Sequence, residues 1–235
     1  MLVRRALPLV RFLRSSSSEP PRALLNRATA LQIKGDIPEA EALAARALDG
    51  LTARADRADA HGFLGKLCAV QGRYDDALAH FESARSARDP GSAEFYGDGA
   101  RVASALEGLG RASAAAAAYR AALDGLVAAE GGWRDGAANH AAVGLGRALA
   151  ETGDWAGAEA AAAEAAAGLE AALGADDVRT QRAALARALA AAGAGKIPEA
   201  LALVAAAMES LDPRHPAYRE AMAVEADLRT RKGPC

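Results

Sequence analysis

Four histidines, two cysteines and a few glycine-rich or doubly acidic stretches are the residues of this 235-residue chain whose types could do chemistry. His61, His80, His140 and His215 stand at no metal-ligand spacing and none adjoins a cysteine, so no zinc site or activated nucleophile is spelled out. His215, between Arg214 and Pro216, reads as a surface or capping residue of a connecting loop. Cys68 falls on a helix position expected to be buried, where cysteine acts as a small hydrophobe, and Cys235 is terminal. GAGK at 193–196 has the end of a phosphate-binding loop, but Ala190 stands where the first glycine belongs and Ile197 replaces the Ser or Thr that would hold magnesium. GLGRA at 108–112 and 144–148 follows no strand and completes no dinucleotide fingerprint, so these glycines read as packing and turn residues. Asp75 with Asp76, and Asp176 with Asp177, lie at helix beginnings, where acids favour the helix dipole. No catalytic residues, metal ligands or cofactor are expected, and an enzyme is the remote alternative.

The elements around these residues must be helices. The chain is 51% hydrophobic, but 67 of those residues are alanine and aromatics make up only 4%. Alanine is the best helix former and allows close helix contacts, while too few Val, Ile, Thr and aromatics remain for a sandwich or barrel. No apolar stretch of membrane-spanning length is free of charge. The formal net charge is −2; without Arg4, Arg5, Arg11 and Arg14 the balance is 24 basic against 30 acidic residues, or −6. That mildly acidic body lacks the basic stripe a nucleic-acid binder needs.

Five glycines recur through the chain: Gly35, Gly72, Gly110, Gly153 and Gly195, spaced by 37, 38, 43 and 42. Five residues after each stands Ala40, Ala77, Ala115, Ala158 or Ala200, and twelve after each stands Ala47, Ala84, Ala122, Ala165 or Ala207. Seven before each is Ala28, Gly65, Ala103, Gly146 or Ala188, again always small. Small residues on either side of a glycine turn are what two antiparallel helices need where their backbones approach closely. With Leu31, Cys68, Leu106 and Leu149 continuing the stripe, the pattern resembles the tetratricopeptide repeat, and HGFLGKLCAVQGRYDDALAHFESA, residues 61–84, is the copy most similar to it. The later repeats resemble those of kinesin light chains: Leu173, Gly174 and Asp176, then Leu211, Pro213, His215 and Pro216, match their connecting loops. The resemblance implies an all-α, right-handed superhelical array of about five helix-turn-helix repeats. A C-terminal capping helix, roughly 216–230, would cover the last repeat with Tyr218, Met222 and Leu228.

Residues 1–18 are set apart as a transit peptide, with 19–235 as the repeat domain. The segment MLVRRALPLVRFLRSSSS is Arg-rich, Ser-rich and free of acids until Glu19, the composition of an organellar leader. Mitochondria, at the matrix or inner membrane, are the expected destination and chloroplasts the runner-up.

In tetratricopeptide proteins the first helix of each repeat lines a concave surface that holds a partner segment. Carried onto this sequence, the resemblance places Arg22, Asn26, Thr29, Phe63, Lys66, Arg101, Ser104, His140, Val143, Arg147, Arg182 and Leu185 on that surface. Such a lining would suit an extended or helical protein segment with acidic and apolar residues. The carboxylate clamp for chaperone tails is absent: Leu25, Thr29, Phe63, Gly97 and Arg101 stand at its positions, and only Arg101 matches. The expected role is a non-catalytic mitochondrial scaffold or adaptor in assembly of a larger, for example respiratory, complex. The alternative is a permanent peripheral subunit of one.

Overall fold

The computed structural model describes residues 19–129 and 136–231. Residues 1–18, where a leader is expected, and Cys235 lie outside them. The described residues form eleven helices and no strand: α1 Pro21–Lys34, α2 Ile37–Gly50, α3 Arg54–Val70, α4 Tyr74–Ser86, α5 Ala93–Gly108, α6 Ala112–Ala129, α7 Gly136–Glu151, α8 Trp155–Leu173, α9 Val178–Gly193, α10 Ile197–Glu209 and α11 Pro216–Arg231. Each helix packs on its sequence neighbours, and α3, α5, α7, α9 and α11 also touch in succession. This is the superhelical array of five helix pairs with a closing helix that the repeat pattern predicts.

The five recurrent glycines make five matching turns. Gly35, Gly72, Gly110, Gly153 and Gly195 have φ between 70° and 86°, the left-handed region that only glycine enters without cost. After each, the next residue's N–H reaches back to the carbonyl four residues before the glycine, as Arg73 N to Cys68 O at 2.9 Å and Lys196 N to Ala191 O at 2.9 Å do. That bond satisfies a carbonyl the helix end would orphan. Asp36 and Asp154 then cap the following helices by accepting the N–H bonds of Glu39 and Gly157.

All ten repeat alanines after the turns are buried. So are Ala28, Gly65, Ala103 and Ala188, whereas Gly146 is only half-buried. Alanine permits close approach but contributes little apolar area, so the energy rests on the few large side chains, each worth about 1.5–3 kcal/mol when fully buried. Several aromatic rings, buried or partly exposed, lie on glycines, whose missing Cβ leaves a flat platform. Phe81 covers Gly65, Tyr74 covers Gly108, Tyr96 covers Gly125, Tyr119 covers Gly144 and Trp155 covers Gly193. The GLGRA and GAGK glycines are therefore divided between platforms and turns, with Gly146 as the exception.

The closing helix α11 packs with Ala217, Ala221 and Leu228 buried and Tyr218 partly so. Met222 is 51% exposed and does not cover the last repeat. The helical stripe runs through the small residues, so the larger Met222 falls on the outer side.

Candidate partner-binding groove

The first helices of the repeats stand side by side, so residues one or two turns apart on α1, α3, α5, α7 and α9 share one concave surface. Arg22, Leu25, Asn26 and Thr29 of α1 meet Phe63 and Lys66 of α3 and Arg101 of α5 around a cavity of about 490 Å³. Lys66 and Arg101 also border a second hollow with Ser104 and His140, of about 580 Å³. A third, of about 480 Å³, joins His140 and Val143 to Arg182 and Leu185. Arg147 lines a separate apolar cavity between α7, α8 and α9.

The cations of this surface are mostly engaged. Arg22 donates to Asp56 at 2.5 Å, Arg101 to Asp98, Arg147 to Glu107, and Arg182 to Glu220 at 2.8 Å. Glu107 also accepts from the buried Tyr119 hydroxyl at 3.0 Å. Burial pushes that phenol up to about 12, and the bond to Glu107 raises the Arg147 guanidinium. Lys66 alone among the expected groove cations makes no ion pair among the described residues, and burial, then the neighbouring Arg101, lowers its ammonium. One cation per repeat on paper thus becomes a nearly neutral surface with a single unengaged charge, because acids on the neighbouring first helix, or for Arg101 one turn away on its own helix, hold the arginines.

Asp98 is the largest feature the motif reading missed. It is fully buried on α5, holding Arg88 at 3.1 Å and Arg101, while Arg88 also grips Asp59 at 2.6 Å. Its place, twelve before Gly110, is Ala60, Ala141 and Ala183 in the second, fourth and fifth repeats. An acid in an alanine column, three residues before an arginine, was the available signal. The histidines also pair against expectation: the Nδ1 atoms of His61 and His80 lie 3.1 Å apart. They stand on facing helices joined by a turn, so linear spacing conceals the contact. Burial holds both imidazoles, and His140, below the ordinary histidine value. No group of three metal-ligating side chains occurs among the described residues. His215 caps α11, its Nδ1 accepting from Ala217 N at 3.1 Å. Cys68 is buried, and burial raises its thiol out of the reactive range.

The apolar cavity, about 280 Å³, is walled by Val143 and Gly146 of α7, Trp155 and Ala162 of α8 and Leu189 of α9, with Arg147 its only charged neighbour. Ala162 stands nine residues after its turn glycine, where the second repeat has Phe81 and the third Tyr119. No helix among the described residues is long and apolar enough to cross a membrane.

Tetratricopeptide repeat family models match residues 19–89 and 139–164. No curated protein matches the chain by sequence. Among solved structures, the nearly identical TPR-like repeats of a kinesin-light-chain-like protein from Podosopora anserina are similar, with a TM-score of 0.69, 15% identity, and 89% of this chain and 96% of that one covered. YrrB, a TPR protein with an unusual peptide-binding site, aligns with a TM-score of 0.56 at 20% identity over 88% of this chain and 94% of its own. A Rap protein complexed with Competence and Sporulation Factor aligns with a TM-score of 0.65 at 14% identity, covering 89% of this chain and 57% of that one. The family models fall on the first and second helix pairs and on part of the fourth, which are tetratricopeptide repeats, and the solved structures share the fold over about nine tenths of the chain.

Proposed function

We propose that this protein is a non-catalytic tetratricopeptide scaffold or adaptor that holds a segment of a partner protein in its concave surface, within mitochondria, during assembly of a larger complex such as a respiratory one. The observation that carries the binding role is the row of first helices whose side chains border three successive hollows. The peptide-binding site of YrrB and the Rap protein's complex with Competence and Sporulation Factor support the same use of this fold. The Arg-rich, acid-free residues 1–18 support the mitochondrial destination.

Crosslinking capture by the full chain tests the binding role. Reversing Arg101 would set a second acid beside the buried Asp98, so the informative variant is Phe63→Ala with Lys66→Glu, which alters the groove and breaks no ion pair. Capture should fall while the helical spectrum is kept; undiminished capture places the partner elsewhere. Residues 1–30 fused to a fluorescent reporter should carry it into mitochondria and be shortened there, and a cytosolic or chloroplast reporter overturns the destination. In native gels an assembly factor migrates in small, substoichiometric complexes, whereas a permanent peripheral subunit co-migrates with its complex in full.

A further inference from the structure

We infer that the cavity between α7, α8 and α9 receives an aromatic side chain of a partner polypeptide, seated on Gly146. The inference deepens the scaffold reading and rests on it. At five helix glycines the chain fills such a place itself: rings cover Gly65, Gly108, Gly125, Gly144 and Gly193. Gly146 is also a helix-interior glycine, at the same repeat position as Gly65, yet a Cβ there would meet nothing nearer than the Ala158 carbonyl at 3.8 Å. At Gly65 the same atom would strike the Phe81 ring at 2.6 Å. The ring is missing at Gly146 because residue 162, which corresponds to Phe81, is alanine. What remains is the platform without its occupant.

The chemistry of the hollow selects that occupant. Its lining is alanine, glycine, Val143, Leu189 and Trp155 apart from Arg147, whose guanidinium already holds Glu107, so its surface suits an apolar group over a sugar or an anion. Its volume of about 280 Å³ exceeds the ~150 Å³ in which an apolar cavity already takes up benzene. Val143 and Leu189 are 37% and 45% exposed and also line the hollow beside Arg182, so the cavity opens into the concave channel, where a polypeptide side chain can enter. The Arg147 guanidinium lines the hollow and is 54% exposed against 10% for its partner Glu107, so positive charge is the more accessible of the two and disfavours a basic residue next to the ring.

The chain has two tryptophans, so Trp133→Phe leaves Trp155, in the cavity wall, as the only fluorophore of its kind. Toluene, the phenylalanine side chain cut free, should shift Trp155 emission saturably in the full chain. Ala162→Phe should raise the melting temperature and abolish the shift. Gly146→Ala, which fits without a clash and is read even if Ala162→Phe does not fold, should weaken toluene several-fold. Acetyl-Ser-Ala-Phe-Ala-Ser-amide should bind at least five-fold tighter than the same peptide with Ala in place of Phe, and tighter than one with lysines flanking the ring. Absence of a toluene response, or equal affinity for the Phe and Ala peptides, overturns the proposal. So does self-association of the chain that Ala162→Phe abolishes, because the occupant is then a second copy. Failed partner capture with toluene and peptide binding intact counts instead against the scaffold reading.

Discussion

The second and third helix pairs, α3–α6, and the fourth, α7–α8, share one backbone plan and differ in what fills it. In the former, Phe81 and Tyr119 occupy the second-helix aromatic position, and Asp98 with Arg88 and Arg101 forms a buried charge cluster. In the latter the corresponding places are Ala162 and Ala141, and an apolar cavity opens beside Gly146. Turn glycines and packing alanines thus set the path of the chain, while a handful of variable positions decide whether a repeat closes its own core or leaves a hollow. The repeat is a geometric constant, and its contents are local.

The largest expected effect separating these regions is at Asp98. Asp98→Ala gives the third repeat the residue its neighbours carry, yet should lower stability by about 1.5–3 kcal/mol, because two charged hydrogen bonds are lost and Arg88, 15% exposed, keeps only Asp59. Urea unfolding that shows no loss would mean the cluster is idle. Ala77→Leu should cost about 1–3 kcal/mol, since Ala77 is fully buried between close helices. Ala162→Leu, beside the cavity, should cost nothing, and the exposed Ala79→Leu serves as the neutral control. Equal melting curves for all three would dissolve the contrast.

The two glycines at the same repeat position should then differ in sign. Gly65→Ala drives a methyl group into Phe81 and should destabilise by about 1 kcal/mol. Gly146→Ala meets no clash and should stabilise by about 1 kcal/mol through helix propensity. Calorimetry on the pair reads this directly.

The smallest effect is the pH dependence of the His61–His80 contact. Burial depresses both folded imidazoles below the usual 6.5, with Arg57 also lowering His61, and Arg73 lowering His80 against the raising effects of Asp76 and Glu41. The unfolded chain therefore takes up protons first. The stability these groups contribute is complete above pH 6.5 and is lost as pH falls through their depressed folded values. His61→Gln with His80→Gln should flatten that fall, and an unchanged slope would show that the pair does not set it.

The array was legible because glycine and alanine at fixed offsets are direct statements about backbone geometry: φ above zero at Gly72, no room beyond a methyl group at Ala77. The groove was legible only as a surface. Position in a repeat says where Arg101 and Arg147 stand, but their partners Asp98 and Glu107 are set by side-chain reach between neighbouring turns and helices, which a single-position pattern does not encode. Tyr74 on Gly108 and Trp155 on Gly193 cross from one repeat to the next, each ring two residues after one turn glycine and each platform two before the following one, a pairing that shows only when positions are compared across repeat boundaries. The hollow at Gly146 was hidden for a different reason. Ala162 is one alanine among many, and a missing ring leaves no mark in a sequence.

Because every helix leans on those made at most two before and two after it, no part of the chain has to return to a distant one to complete its contacts. Structure can therefore be secured pair by pair as the chain emerges, with little loop-closure entropy to overcome. The same wiring works in reverse. A pull on the N-terminus meets α1 and α2 first, then α3 and α4, so the molecule peels in small steps instead of yielding at one barrier that spans the whole fold.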